Sequence, residues 1–182
     1  MEQLEYKHVH LNNHPKNEEG VFNDLVNKYH KYGTLYIGVD FDNTLWPYMN
    51  GNYPRYELDD CVPDGFYDIL QLLRRCKVLG FKLCLWSLPT SQENLNWKVE
   101  WCKSRGIEMD YVNESPLLSD LSSKYRKTHF NLLLDDVAGL ESAYSILYNI
   151  CEYIEWENLL KKGIETFSKI NDSFEKLGNE LK

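Results

Sequence analysis

The chain has 182 residues, of which 43% are hydrophobic and 14% aromatic. This length and composition are sufficient for one globular domain with a sizeable core. The formal net charge of −8 at pH 7 argues against broad nucleic-acid binding, which depends on a basic surface. It does not argue against a small phosphorylated substrate, because lysines and a metal ion within a site govern its local potential.

The cysteines and the apolar runs indicate the compartment. The five cysteines are odd in number and form no Cys-x-x-Cys pair, so free, buried thiols in a reducing compartment are expected. The N-terminus does not begin a signal peptide, and no apolar run reaches membrane-spanning length. We therefore expect a cytoplasmic protein without a membrane partner, or one in the host cytoplasm if the chain is viral.

The N-terminal region is expected to be a flexible arm followed by a helix. Residues 1–18 are polar, and their histidines lack acidic or cysteine partners at metal-binding spacing, so a loose arm is preferred over a metal site. From residue 19 to 32 apolar residues recur at helical spacing, and Gly33 follows as a stop signal. We expect this helix to pack on a sheet.

The most informative segment is an apolar run, Tyr36–Val39, that ends on Asp40 and Asp42. Such a run predicts a buried parallel strand, and ligands bind at the C-terminal ends of such strands. Two carboxylates there repel each other, and a hard cation such as Mg²⁺ would relieve the repulsion. Asp40 could attack phosphorus while Asp42 handles protons. The alternative is that these residues only form a turn or cap a helix.

Two later apolar runs also end on polar residues. Residues 81–86 precede Ser87, and residues 130–134 precede the adjacent pair Asp135 and Asp136. Lys127 stands eight positions before Asp135. Because helical patterns separate the predicted strands, the segments indicate βαβ units with a parallel sheet.

Taken together, the motif Asp40-x-Asp42-x-Thr44 and the later Ser87, Lys127 and acidic pair resemble the four motifs of the haloacid dehalogenase superfamily. The resemblance runs from about residue 35 to 140, and the tracts 96–107, 112–114 and 127–140 look like small bacterial and phage members. It implies an α/β fold, a three-layer Rossmann-like parallel sheet, over a catalytic domain of residues 19–150. A short flap and no large cap are expected.

The resemblance also implies roles for the carboxylates. Asp40 would form an aspartyl-phosphate intermediate and bind Mg²⁺, and Asp42 would act as general acid and base while its backbone carbonyl binds the metal. An acid at position 42 favours a phosphatase over a dehalogenase. Asp136 would be the further metal ligand, with Asp135 secondary and acting through water or by orienting neighbours.

Phosphate binding is assigned in the same way. The resemblance groups Thr44, Ser87 and Lys127 as phosphate-binding residues, with Thr44 also supporting the loop and Lys124 as an alternative to Lys127. The chain departs from close relatives at two positions, since Val137 replaces a common arginine and residues 88–90 lack a basic side chain.

Other segments predict the elements between the motifs. An Asn-Gly pair at 50–51, flanked by Trp46, Tyr48 and Tyr53, predicts a flap hairpin. Pro63 is expected to open a helix that ends before Gly80. Thr90 and Glu93 predict a capping box for a helix that ends at Gly106, with Leu95, Val99 and Cys102 inward, and Trp97 and Trp101 on one face. A short strand over residues 107–112 and a helix opened by Ser115 and Pro116 follow.

Residues 151–182 are predicted to form a long amphipathic helix. Leu160, Phe167, Phe174 and Leu181 recur every seven residues, with Ile170 and Leu177 between them. Packing of this stripe on its own domain is preferred, and pairing with a second copy is the alternative, so either a monomer or a homodimer is expected.

The sequence thus predicts a Mg²⁺-dependent phosphatase acting on a phosphomonoester. The substrate could be a phosphorylated small molecule, a nucleotide or a nucleic-acid end. A non-catalytic phospholigand-binding or assembly module is one alternative. A phosphotransferase is another, although it usually requires a cap.

Overall fold

The computed structural model describes residues 18–48, 64–114 and 130–180, with side chains up to Ser173 in the last helix. In chain order the elements are α1 (Glu18–Tyr32), β1 (Tyr36–Val39), α2 (Asp64–Val78), β2 (Lys82–Leu85), α3 (Gln92–Ser104), β3 (Tyr111–Val112), β4 (Leu132–Leu134) and α4 (Leu140–Glu180).

The four strands form one parallel sheet in the order β3-β2-β1-β4. Val39, the last residue of β1, pairs with Leu85 on one side and Leu134 on the other. The C-terminal ends of β2, β1 and β4 therefore lie at one edge, as the βαβ pattern predicts. The mixed α/β architecture is consistent with a Rossmann-like fold.

Helices α2 and α4 cover one face of this sheet. Helix α2 contacts β2, α4 contacts β4, and the two helices contact each other. Between them, the Sγ atoms of Cys76 and Cys151 are 3.7 Å apart. These two thiols are free and buried, and so are those of Cys84 and Cys102, as the sequence predicts. The three-layer arrangement stays a prediction, because residues 115–129 lie outside the described part of the chain.

The ends of α1 and α2 confirm the helix signals. Each helix is followed by a glycine with positive φ, 72° at Gly33 and 81° at Gly80, where a residue without Cβ is favoured. Helix α3 differs in one detail: its N-cap is Ser91, whose side chain accepts a hydrogen bond from the backbone N–H of Asn94. The capping box predicted at Thr90 and Glu93 is therefore wrong by one residue.

Helix α1 packs mainly on α4, whereas packing on the sheet was expected. The rings of Phe22 and Tyr153 meet edge to face with centroids 5.9 Å apart. At the end of the contact, His30 Nε2 lies 2.8 Å from Glu157 Oε2. Tyr29 still reaches the sheet region, since its ring packs on Phe81 just before β2.

The C-terminal helix is continuous across the boundary predicted at residue 151. Its first half packs on the domain through buried residues that recur at helical spacing: Ala143, Ile146, Leu147, Ile150, Cys151 and Ile154. In the second half the apolar side chains from Trp156 to Ile170 are exposed. The preferred packing of this stripe on its own domain is thus not observed. At 3.6 residues per turn, the stripe and the domain-facing side are roughly 140° apart around the helix axis. The described part of the domain that packs on the first half therefore does not cover the stripe.

On the sheet, Gly38 is in close contact with an aromatic ring. A Cβ atom at this position would overlap the ring of Phe130, which in turn packs edge to face on Trp86 with centroids 5.8 Å apart. The absence of a side chain at Gly38 lets Phe130 lie directly on β1, one residue before the chain enters the carboxylate loop.

Several predicted features lie outside the described residues. They are most of the N-terminal arm, the Asn-Gly hairpin with Tyr53, the helix start at Ser115 and Pro116, and both candidate phosphate-binding lysines, Lys124 and Lys127. Across the described helices, none combines the length and apolar character needed to cross a membrane.

We expect Gly38→Ala to lower the free energy of unfolding by about 1–3 kcal/mol, because the added methyl group displaces the Phe130 ring in a packed region. Chemical denaturation measures the change. Gly65→Ala is the matched control: no atom lies within 4 Å of a Cβ at Gly65, and alanine favours the helix there. Equal effects of the two substitutions would contradict the packing assigned to Phe130.

Candidate active site at the C-terminal edge of the sheet

The structure brings three of the predicted motifs to one edge. Asp40 follows β1, Ser87 lies two residues beyond β2, and Asp135 follows β4. Backbone hydrogen bonds continue past the strands, from Asp40 N to Leu134 O (2.9 Å) and from Trp86 N to Val39 O (2.8 Å). The segments that carry the polar side chains are therefore fixed relative to one another.

The loop after β1 is a tight turn. The carbonyl oxygen of Phe41 accepts hydrogen bonds from the backbone N–H groups of Leu45 (3.0 Å) and Trp46 (3.2 Å). Asn43 has φ of 60°, a left-handed conformation that asparagine tolerates, and its Oδ1 accepts a hydrogen bond from Tyr48 N. Asn43 thus makes a turn, as the structural alternative predicted, and this turn holds Asp40 and Asp42 on either side of buried Phe41.

Thr44 joins this turn to the acidic pair. Its side chain is fully buried, and its hydroxyl oxygen accepts a hydrogen bond of 3.0 Å from the backbone N–H of Asp136. This contact supports the loop, as the resemblance implies. The role of Thr44 in contacting phosphate stays a prediction.

The sequence interpretation missed Lys98, on α3. Its side chain is 1% exposed, and its ammonium lies 2.8 and 3.1 Å from the two carboxylate oxygens of Asp42. The same ammonium donates to the hydroxyl of Ser87 (2.8 Å) and lies 5.1 Å from the centroid of the Phe41 ring. A buried lysine thus connects two of the predicted motifs directly.

One sequence signal could have identified this lysine. The inward face of α3 was predicted from Leu95, Val99 and Cys102, and position 98 lies on that face, three residues after Leu95 and four before Cys102. A lysine on an otherwise apolar inward face places a charge away from water, and such a charge is normally paired with a polar partner. Lys127 was preferred because of its spacing from the acidic pair. The roles of Lys127 and Lys124 stay predictions, because neither lies within the described residues.

Ser87 is nearly buried and is positioned from two sides. Its backbone N–H donates to Asn113 Oδ1 (2.9 Å), and its hydroxyl accepts from Lys98. Asn113 follows β3 with φ of 52°, which lets its side chain turn back toward the loop after β2. The Ser87 hydroxyl still has its own proton to donate to a ligand oxygen.

The surroundings of Asp40 disfavour its ionised form. The pKa of Asp40 is raised from 3.8 to about 6, mainly by burial. The backbone N–H of Phe41 lowers this pKa, and the charges of Asp42, Asp135 and Asp136 contribute to the increase. The effect of three other carboxyl groups on one residue shows that negative charge is concentrated at this edge.

The two members of the acidic pair differ in their surroundings. Asp135 is half-buried, and its Oδ1 accepts a hydrogen bond of 2.9 Å from the backbone N–H of Val137. Asp136 is exposed, with its backbone held by Thr44. The Asp136 carboxylate is therefore the more accessible of the two for a ligand.

These residues fit a sparse magnesium site. Among the described residues, no three His, Cys, Asp or Glu side chains are grouped closely enough to hold a metal ion together. Mg²⁺ is commonly held by one or two carboxylates and several waters. Asp40 and Asp136, with the backbone carbonyl of Asp42, would provide such a donor set, and a cation there would offset the like charges that act on Asp40.

Comparisons with known proteins identify no function. No family model matches the chain, and no curated protein matches it. One solved structure is similar, described as a conserved protein from Bacteroides thetaiotaomicron. It has 22% sequence identity and a TM-score of 0.49, and the match covers 66% of this chain and 91% of that protein.

We expect Asp40→Asn to stabilise the protein at neutral pH. The folded state holds the Asp40 proton more tightly than the unfolded state, so its contribution to stability is lost as pH rises through about 6. Asparagine avoids this cost. Because Asp40 is partly solvated, we expect a gain of about 1–2 kcal/mol at pH 7.5 and little at pH 4.

Thermal and urea unfolding in EDTA at the two pH values measures this difference. Asp172→Asn, at an exposed position of α4, is the control and should have no pH-dependent effect of this kind. A gain from Asp40→Asn that is equal at both pH values would contradict the electrostatic origin.

Proposed function

We propose that the protein is a Mg²⁺-dependent phosphomonoesterase that acts through an aspartyl-phosphate. The observation that carries this proposal is the contact of Lys98 with both Asp42 and Ser87 in the loops after β1 and β2, at the C-terminal edge of the sheet. The site combines a carboxylate nucleophile, a second carboxylate, a hydroxyl donor and an ammonium. The motif order, which resembles the haloacid dehalogenase superfamily, supports the same assignment.

In the proposed reaction, an Asp40 oxygen attacks phosphorus and forms an O–P bond while the bond to the leaving oxygen breaks. The Asp42 carboxylate is paired with Lys98 in the free protein, so it would take up the proton of a monoanionic phosphomonoester as the substrate binds. Asp42 then gives that proton to the leaving oxygen and later accepts a proton from the water that attacks the phospho-aspartate. Hydrolysis releases inorganic phosphate and restores Asp40. When bound, Mg²⁺ would neutralise charge on the phosphoryl oxygens and on the Asp40 carboxylate.

Lys98 would contribute to phosphate binding together with Ser87. An ammonium has three donors, and here they are directed toward Asp42 and Ser87. A phosphoryl oxygen beside the Ser87 hydroxyl would have to take over one of these donors, such as the one that makes the longer contact of 3.1 Å to Asp42. Charge neutralisation and positioning supply most of the catalysis in phosphoryl transfer. A lysine at this point would supply both, although burial of its charge is costly.

The rim of the site favours an apolar group next to the phosphate. Leu88, directly after Ser87, is 91% exposed, and Val137, directly after Asp136, is 87% exposed. Trp86 adds a partly exposed ring in the same loop as Leu88. A substrate with an aryl or other apolar group would contact these side chains, whereas a second anionic group would find no cation at positions 88 and 137.

A phospholigand-binding module without turnover is the second candidate, because Lys98 and Ser87 alone could hold an anion. The carboxylates argue against it. Asp40, Asp42 and the acidic pair would repel a bound phosphate, and a protein that only binds has no need for that arrangement.

The decisive experiment is a phosphatase panel with Mg²⁺ or EDTA. It should contain an aryl phosphate, a sugar phosphate, a nucleoside monophosphate and pyrophosphate. We expect Mg²⁺-dependent release of phosphate, fastest from the aryl phosphate and undetectable with Asp40→Asn. Asp42→Asn should slow turnover by roughly 10²–10⁴-fold, and less for good leaving groups. Phosphate binding by the wild type without turnover of any substrate would support the binding module.

A second experiment distinguishes the lysines. We expect Lys98→Met to reduce kcat/KM by at least about 100-fold, because it removes the ammonium from Ser87 and Asp42. Lys127→Met is the matched comparison, and circular dichroism verifies the fold of both variants. If Lys98→Met retained activity and Lys127→Met lost it, the lysine predicted from sequence spacing would be the functional one.

A further inference from the structure

The second half of α4 presents an apolar stripe to solvent. Its members are large and substantially exposed: Trp156 (65%), Leu159 (65%), Leu160 (56%), Ile164 (70%), Phe167 (73%) and Ile170 (49%). At 3.6 residues per turn they span an arc of roughly 140°, the width of a helix face that is normally buried. A continuous apolar surface of this kind usually marks an interaction site.

We propose that this stripe pairs with the same stripe of a second copy of the chain, forming a helical homodimer. This inference does not depend on the proposed enzymatic activity. It rests on how the helix distributes its apolar, charged and small residues.

The helix changes its apolar face where it leaves the domain. In the first half, the side that later carries the stripe holds exposed polar residues, Ser145, Asn149 and Glu152. In the second half, the side that faced the domain carries charged residues such as Lys162 and Glu165. The stripe therefore does not continue the domain contact, and its apolar character requires a different partner.

Charge favours a self-complementary partner over a charged one. From Trp156 to Ser173 the helix has three acidic residues, Glu157, Glu165 and Asp172, and three basic residues, Lys161, Lys162 and Lys169. The net charge of this segment is therefore zero. An anionic membrane surface would favour an excess of lysine and arginine on such a helix.

Two residues beside the stripe are small, and their hydroxyl groups form hydrogen bonds within the helix. The Thr166 hydroxyl donates to the carbonyl of Lys162 and the Ser173 hydroxyl to that of Lys169, both at 2.8 Å. Their donor protons are thus already used within the helix, so a second helix can pack against them without leaving a donor unpaired. Their small side chains also allow the two helices to approach closely.

Pairing of two stripes would reach the size of a specific interface. Each aromatic residue buries about 150–250 Å² in an interface, and each copy contributes two aromatic and four aliphatic residues. The total is on the order of the 1,200–2,000 Å² typical of stable complexes.

Gly163 favours an antiparallel arrangement. It occupies the heptad position between Leu160 and Phe167, and a Cβ atom there would meet nothing within 4 Å in the single chain. Parallel helices would place Gly163 opposite Gly163 and leave a cavity between large residues, which is unfavourable. Antiparallel helices can place Gly163 opposite Phe167 of the second copy, and Leu160 opposite Ile170, so that large and small residues alternate.

Sedimentation equilibrium of the full chain tests the proposal. We expect a particle of twice 21.6 kDa. The double variant Phe167→Glu, Ile170→Glu should raise the dissociation constant at least about 100-fold, since it removes four large apolar side chains from the dimer. Circular dichroism and thermal unfolding verify that its domain remains folded.

The matched control is Val78→Glu, which places the same charge at an exposed apolar residue of α2 (87% exposed) away from the stripe. It should leave the dimer unchanged. A monomeric wild type, or equal dissociation by the control, would overturn the proposal. So would sedimentation of the wild type, but not of the double variant, with vesicles of phosphatidylcholine and phosphatidylglycerol, because the stripe would then be a membrane contact.

Disulfide trapping with oxidised glutathione tests the orientation. A mixture of Gly163→Cys and Phe167→Cys chains should form a mixed disulfide dimer, whereas Gly163→Cys alone should not. The wild type, whose described cysteines are buried, gives the background. Efficient trapping of Gly163→Cys alone would show a parallel pair and overturn the antiparallel arrangement.

Discussion

The candidate site depends on the burial of the Lys98 ammonium against the Asp42 carboxylate. Moving a charge out of water is costly unless it is paired and hydrogen-bonded. Here the ammonium meets both oxygens of Asp42, the hydroxyl of Ser87 and the face of Phe41. These contacts bind α3 to the loops after β1 and β2, so the position of one helix and the geometry of the site are determined together.

The carboxylates on the other side of the site have less compensation. Asp40 is held next to Asp42 and the acidic pair by backbone hydrogen bonds of the parallel sheet, and its raised pKa records the cost. A carboxyl group that is destabilised in the folded protein is a common feature of active sites, because the arrangement needed by a ligand differs from the one that is most stable without it. In the proposed phosphomonoesterase, a bound cation would supply the missing compensation.

The two halves of the long C-terminal helix have different surroundings. Its first half supplies Leu147, Ile150 and Ile154 to the core and contacts α1, α2 and β4. Near the end of that contact, Glu157 accepts hydrogen bonds from the side chains of His30 and Tyr153. Beyond this point the apolar residues move to another side of the helix. The proposed dimer would therefore use the exposed second half of the helix and not the residues that pack on the domain.

The sequence determined those features that arise from neighbouring residues. Apolar runs predicted β1, β2 and β4, and glycines with positive φ end α1 and α2 as expected, because strand burial and helix termination are local properties. The order of strands with intervening helices predicted a parallel sheet, and a parallel sheet places Asp40, Ser87 and Asp135 at one edge. The presence and location of the candidate site could therefore be predicted, although its activity could not.

The tertiary structure decided which side chains meet there. Lys98 reaches Asp42 across 56 residues because α3 packs over the loop after β1, and no local spacing indicates this contact. The role of Lys127, which was favoured by its spacing from the acidic pair, stays a prediction because Lys127 lies outside the described residues. Likewise, the heptad pattern identified the stripe on α4 without showing that the domain-facing side lies elsewhere on the helix. Periodicity gives the relative angle of residues on one helix, whereas the surface that each side meets depends on how separate elements pack.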